Sequence, residues 1–459
     1  MENFWESNVW GGFNIIAVLL ISLMFANFLK RVIRLLRISL IPTSVLAGVI
    51  LLVISTIYQA ISGKIMFNTA FFGGNGMAEM EMITYHALAL GFIATTLKNS
   101  ENKVTKQRSV EIFNTGVTTV ATYLLQAVFG MGITILLAFV LKDFFPAAGI
   151  LLPFGYGQGT GQALNYGSIY QADYGFVGGK SFGLTIAALG FLSASIGGVI
   201  HLNILRKKGK IVVKDECENT PNVNFQDENE IAINGSMDKL TVQLALIAIS
   251  YFATYLLMYG LGLLLPGMKS VIYGFNFLIG VLSATLVKTV MKFLQKKNIA
   301  KKQYNNNFLL DRVGNACFDV MVVAGIAAIR LDLLKEYWWI LLLLGVVGLL
   351  VTYFYVRFTS YALFPAYKEE QFLAMYGMLT GTASTGIILL REVDGDFKTP
   401  VADNLVYQNF PAIVFGFPLM LIATLAPKEP YSALLILFLF FVVMNVILFR
   451  AKIFKKKQK

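Results

Sequence analysis

Pro153 to Gly167 read P-F-G-Y-G-Q-G-T-G-Q-A-L-N-Y-G, with Gly155, Gly157, Gly159 and Gly161 alternating with Tyr156, Gln158 and Thr160. Long apolar runs flank the stretch on both sides. Each glycine costs a helix up to about 1 kcal/mol relative to alanine, so no continuous helix is expected through it. Lipid offers backbone amides no partners, so irregular backbone at membrane depth is tolerated only where protein buries it or it lines a water-filled cavity. The stretch is therefore expected to line a binding site or a pathway.

The rest of the chain supplies the membrane context. Of 459 residues, 56% are hydrophobic and 14% charged, the composition of a polytopic membrane protein and not of a soluble domain. The net charge of +12 sits in short clusters between apolar runs: Lys30 to Arg37, Lys98 to Arg108, Arg206 to Lys210, Lys296 to Lys302 and Arg450 to Lys459. That pattern is a topology signal, all clusters falling on the cytoplasmic side, and it argues against nucleic acid as a partner. Cys217 lies in a charged loop and Cys317 in an apolar run, so no disulfide framework is expected. Glu2 and Glu6 precede the first apolar run and Lys30, Arg31, Arg34 and Arg37 follow it, the reverse of a cleavable signal. The N-terminus is expected outside and the C-terminus in the cytoplasm.

Crossing a hydrocarbon core takes about 20 residues. Spans are expected near 13–29, 41–61, 82–97, 112–141, 181–205, 240–264, 270–294, 312–331, 337–357, 404–426 and 431–449. Two glycine-rich apolar segments remain, 148–166 and 372–390. Counting either as a crossing would break the charge alternation, so both read as re-entrant hairpins. The first enters from outside after Lys142 and Asp143, the second from inside after Lys368, Glu369 and Glu370.

Laid over each other, Gly155 to Gly161 (G-Y-G-Q-G-T-G) and Gly377 to Ala383 (G-M-L-T-G-T-A) share G-x-x-x-G-T. Each segment precedes the fifth span of its half, and an odd number of crossings inverts one half relative to the other. The expected fold is an all-α polytopic membrane protein. It has two inverted-topology repeats of five transmembrane helices, each with a re-entrant hairpin, plus one extra C-terminal helix. The expected boundaries are 1–206 and 240–427 for the repeats, with a cytoplasmic linker at 207–239. The extra helix and basic tail occupy 428–459.

A re-entrant hairpin is two half-helices whose ends meet inside the membrane. Free N–H groups at a helix start hold a carboxylate, and carbonyls at a helix end hold a cation. Gln158, Gly159, Thr160, Gly161 and Gln162 form one expected tip; Thr380, Gly381, Thr382, Ser384 and Thr385 form the other. Thr380 and Gly381 are assigned to the ion and the remaining tip residues to the substrate. Close helix packing through small residues is the competing reading.

Asp319 lies inside an apolar span, where a bare carboxylate costs about 2.5 to 3.5 kcal/mol or more. It is expected either to bind sodium, with Asn315 one turn before it, or to pair with Arg312 or Arg330. Arg391 follows the second hairpin as a bidentate partner for a substrate carboxylate, or as a surface charge. Asn404, Gln408 and Asn409 place a polar face at the start of the tenth span. His86 and His201 each stand alone, without metal-ligand spacing, and read as structural. Tyr156, Tyr166, Tyr170 and Tyr174 are candidates for gating the first hairpin's outer mouth.

Leu151 to Ala163 (L-L-P-F-G-Y-G-Q-G-T-G-Q-A) and Met378 to Gly386 (M-L-T-G-T-A-S-T-G), in this order of spans and hairpins, resemble the bacterial sodium/glutamate symporter family. The resemblance covers roughly residues 10 to 426 and is that of a divergent branch, with Gln158 where the family pattern has a histidine. It implies sodium-coupled import of a small anionic amino acid, most simply glutamate, by alternating access between inverted units. Sodium is the coupling ion, no other cofactor or metal is implied, and scaffold contacts imply a homodimer in the lipid bilayer. The alternatives are a proton-coupled transporter with Asp319 as carrier, or an ion channel on the same hairpins. A membrane enzyme is disfavoured because no nucleophile–base pair accompanies the hairpins.

Overall fold

The structure is a computed structural model that describes residues 3–98, 106–142, 144–209, 237–297, 305–394 and 398–453. The expected linker at 207–239 lies outside the described residues over 210–236, Cys217 included. So do Asp143, Asp396, residues 99–105 and 298–304 of two basic clusters, and the basic tail from 454.

The described residues form helices and no strands. The longer helices are α1 (Ser7–Val32), α3 (Thr43–Ser62), α4 (Gly76–Leu97), α5 (Lys106–Val140) and α8 (Gly179–Lys207), with a short α2 (Arg34–Ile38) between α1 and α3. Later in the chain come α9 (Lys239–Leu264), a short α10 (Lys269–Gly274), α11 (Asn276–Lys296), α12 (Asn307–Ala327), α13 (Trp338–Leu363) and α18 (Pro430–Leu448). Nine helices among the described residues are long and apolar enough to cross a membrane. In the most apolar windows of α1, α9 and α18 only 22% of residues are buried. Exposed apolar surface of that extent is unstable in water at about 25 cal/mol per Å². It suits a hydrocarbon surround instead.

Two expected spans differ from this set. The span at 312–331 is α12, a continuous helix that carries Asp311, Arg312 and Asp319. The span at 404–426 is two helices, α16 (Val401–Tyr407) and α17 (Asn409–Leu425), interrupted at Gln408. Pro411 accounts for the interruption: it has no N–H to bond the Tyr407 carbonyl, and its ring crowds the preceding turn.

Both glycine-rich segments are broken helices. The first is α6 (Leu151–Tyr156) and α7 (Thr160–Tyr174), separated by Gly157 to Gly159. The second is α14 (Lys368–Thr380) and α15 (Ala383–Arg391), separated by Gly381 and Thr382. None of the four reaches the roughly 20 residues a crossing needs. Each pair folds back on itself: Phe154 stacks on Tyr166 with ring centroids 4.0 Å apart, and a Cβ on Gly377 would lie 2.9 Å from Gly386 Cα.

Packing divides the chain into two compact units, each drawing on both sequence halves. One comprises Met1–Tyr85, Lys103–Leu202 and Val320–Lys459, and contains both broken helices; the other comprises His86–Asn102 and Asn203–Asp319. The second unit is centred on an apolar cluster of Ile93, Ala94, Leu97, Ile247, Ala284 and Leu310. Phe92 packs edge-on against Phe318 there, and His86 Nδ1 hydrogen-bonds the Tyr251 hydroxyl at 2.6 Å.

Candidate functional site

The two breaks meet. Gly159 has φ +83° and ψ −172°, a conformation open essentially to glycine alone. A Cβ built on it would lie 3.7 Å from Thr382 Cγ2 and 3.8 Å from the Gly381 carbonyl oxygen. The sequence-expected tips, Gln158 to Gln162 and Thr380 to Thr385, are thus brought together. Around the contact Tyr156, Thr160, Gln162, Thr380 and Thr385 are buried. Gln158 and Thr382 are half-buried and Ala383 is exposed. No Lys, Arg, Asp or Glu occurs in 157–162 or 380–385, so the polarity of the junction comes from backbone, amides and hydroxyls.

Neighbouring helices fit closely because glycines face the junction. A Cβ on Gly190 of α8 would lie 2.5 Å from the Thr380 carbonyl oxygen and 3.2 Å from Tyr156 Cα, and one on Gly325 of α12 would lie 2.9 Å from Thr160 Cβ. Tyr156 donates to the Gly345 carbonyl of α13 at 2.6 Å and shares a hydrogen bond with Ser193 Oγ of α8.

The helix starts at the two breaks differ in chemistry. The start of α7 has no side-chain cap, so the first N–H groups, from Thr160 onward, have no intrahelical acceptor. Beside them Thr160 Oγ1 and Gln162 Nε2 are buried and have no hydrogen-bond partner among the described residues. Gln162 Oε1 accepts from Asn165 Nδ2 at 3.4 Å. The start of α15 is instead closed by Thr382, whose Oγ1 accepts from the Thr385 N–H at 3.5 Å. Thr380 Oγ1 turns back to the Tyr376 carbonyl at 2.7 Å. The side chain of Ser384 lies outside the described residues.

The remaining expected site residues are Arg391, Asp319 and Asn315. Arg391 is exposed at the far end of α15, about 12 Å of helix from the break. Asp319 and Asn315 are exposed on α12 and belong to the unit that lacks both breaks. Of the arginines considered as structural partners for Asp319, Arg330 instead pairs with Asp332 at 2.5 Å, and that hydrogen bond lowers the pKa of Asp332. The tyrosines of α7 are bound to a neighbouring helix. Tyr166, Tyr170 and Tyr174, one turn apart along α7, donate to the Met420, Ala423 and Thr424 carbonyls of α17 at 3.0, 2.6 and 3.4 Å. They fasten α7 to its neighbour.

His201 is buried and bonded through both ring nitrogens, to the Tyr353 hydroxyl at 2.9 Å and Glu369 Oε2 at 3.1 Å. It ties α8 to the base of the second broken helix, as a structural histidine should. Gln408, between α16 and α17, donates to Met378 Sδ of α14 at 3.4 Å, bringing that interruption onto the second broken helix. Asp394, after α15, accepts from the Lys398 and Thr399 N–H groups at 2.8 Å each. Burial raises its pKa, but the hydrogen bonds from Thr399 and Lys398 outweigh burial and hold it below the ordinary value.

Sequence reading passed over two residues of α5 that touch the breaks. Tyr123 donates to the Gly157 carbonyl at 3.0 Å and Gln126 donates to the Leu379 carbonyl at 3.0 Å. Their one advance signal was polarity within an apolar run, shared with Thr115, Thr118, Thr119 and Thr122. No protein-family model matches this chain, and no curated protein matches it.

Proposed function

We propose that this chain is a secondary active transporter that imports a small anionic amino acid, with glutamate the leading substrate, together with sodium. The observation that carries the reading is the close approach of the two breaks at Gly159 and Thr382, beside an uncapped helix start and buried Thr160 Oγ1 and Gln162 Nε2 without partners among the described residues. A helix start offers about half a positive charge and aligned N–H groups, which suit a carboxylate where no basic side chain is at hand. Binding there would give Gln162 Nε2 an acceptor. Thr160 Oγ1 is an available oxygen for a cation, and sodium prefers such neutral oxygens to nitrogen or sulfur.

On this reading the broken helices are re-entrant hairpins and the halves around them are inverted repeats, an arrangement that supports alternating access. On the same reading the chain sits in a bacterial plasma membrane with its N-terminus outside and its C-terminus in the cytoplasm, an orientation that the basic clusters favour, and works as a homodimer. One sodium ion per glutamate would be electroneutral. Each further net charge would add about 2.3 kcal/mol of driving force per 100 mV of membrane potential.

The test is uptake of radiolabelled glutamate, aspartate, neutral amino acids and dicarboxylates into proteoliposomes under imposed ion gradients. Saturable, uphill accumulation driven by an inward sodium gradient is expected. Passive conductance without accumulation would make the chain a channel. Uptake indifferent to sodium and abolished by collapse of a pH gradient would make it proton-coupled.

A further inference from the structure

Tyr123 and Gln126 stand three residues apart on α5 and therefore share one helix face. Each meets a different hairpin at an equivalent point. The Tyr123 ring lies against Gly157, where a Cβ would collide with Cε1, and its hydroxyl donates to the Gly157 carbonyl. Gln126, fully buried, donates Nε2 both to the Leu379 carbonyl and to Thr352 Oγ1, the latter at 2.8 Å. Gly157 directly follows α6 and Leu379 is the penultimate residue of α14. Both accepting carbonyls thus sit where a half-helix stops and its last carbonyls lose their intrahelical donors. One helix face supplies a replacement donor to each.

We propose that Tyr123 and Gln126 are positioning residues of the transport site, holding the two breaks in register so that Gly159 stays against Thr382. The inference rests on the transporter reading above. Its consequence is that α5 and both hairpins behave as one body. The half-helix carbonyls of Gly157 and Leu379 are then held in place by the protein, each with one acceptor site occupied. Gln126 is oriented by its two acceptors, since reversing the amide would set Oε1 against the Leu379 carbonyl. Its Oε1 has no partner among the described residues, so fixing hairpin two leaves an acceptor buried beside it.

Tyr123→Phe and Gln126→Met each remove the donor and little else. Both are made in a background lacking Cys217 and Cys317, with Gln158→Cys and Ala383→Cys flanking the contact between the breaks, where neither native residue is fully buried. Cross-linking by a short bifunctional thiol reagent reports register without requiring transport. Sodium-driven glutamate uptake, measured in parallel without the reporter cysteines, reports function.

Each variant should cross-link about five- to tenfold more slowly, the equivalent of one buried hydrogen bond. Its apparent KM should rise by a similar factor, with a smaller change in maximal rate. The double variant should fall short of the product of the two, because both residues serve one contact. Unchanged cross-linking and KM with only a lowered melting temperature would overturn the proposal in favour of plain carbonyl satisfaction. If Gln126→Met fails to fold, Tyr123→Phe alone decides. If the unsubstituted protein shows no sodium-driven uptake, the transporter reading fails, and slower cross-linking still upholds the register.

Discussion

The two breaks are alike in sequence and opposite in chemistry. At the first, Gly159 adopts a backbone conformation closed to other residues and leaves the start of α7 uncapped, with Thr160 Oγ1 and Gln162 Nε2 buried and unpartnered nearby. At the second, Thr382 caps α15 through Thr385, and Thr380 bonds its own helix. A buried polar group without a partner costs about 1 to 3 kcal/mol. On the transporter reading, a ligand offsets that cost at the first break while Thr382 closes the second, where Gln126 Oε1 is also buried without a partner among the described residues.

The largest effect is expected at the most constrained residue. Gly159→Ala places a side chain in a backbone region that costs of order 1 to 3 kcal/mol, directly against Thr382. Sodium-driven uptake should fall below detection and the melting temperature should drop. Gly381 has φ −144°, outside the left-handed region, but a Cβ there would lie 2.9 Å from Thr385 Oγ1 and 3.0 Å from Phe191 Cδ1. Gly381→Ala should therefore lower the melting temperature through crowding while largely keeping the apparent substrate affinity; a loss of affinity as large as at Gly159 would break the asymmetry.

Next in size, Thr160→Val and Thr382→Val should separate function from stability. Thr160→Val removes an unpartnered hydroxyl, so the melting temperature should hold or rise while apparent affinity falls about tenfold, equivalent to about 1.4 kcal/mol. Thr382→Val removes a helix cap, at about 1 kcal/mol of stability, and the melting temperature should fall with a smaller change in affinity. The reverse pattern would exchange the roles of the two hairpins.

Much of this was legible beforehand because breaks announce themselves. Glycine and hydroxyl residues interleaved in an apolar run marked Gly157 to Thr160 and Gly381 to Thr382 as places where a helix stops. What pairs with a break was not legible. Tyr123 and Gln126 sit in an otherwise ordinary spanning helix, and nothing local says that their face meets two hairpins distant in sequence. Tyr166, Tyr170 and Tyr174 looked like a gate because interfacial and anchoring tyrosines share a spacing; only their carbonyl partners distinguish the two. Gln408 falls inside the span expected at 404–426, and Pro411, near a helix start, is compatible with either a first turn or a break.

The smallest effect is expected at Arg391, which is exposed at the end of α15 away from the break. Arg391→Gln should leave the apparent substrate and sodium affinities within about twofold, well inside the scatter of surface substitutions. A tenfold loss of substrate affinity would return the guanidinium to the substrate site.

The most direct measurement is sodium-dependent binding of radiolabelled glutamate to the purified protein, compared with Gln162→Leu. This substitution removes the unpartnered amide beside the open helix start and keeps the side chain's bulk. Saturable, sodium-dependent binding that weakens about tenfold in Gln162→Leu, with the melting temperature held or raised, is the predicted result. Unchanged affinity in Gln162→Leu, or binding indifferent to sodium in the unsubstituted protein, would contradict the account.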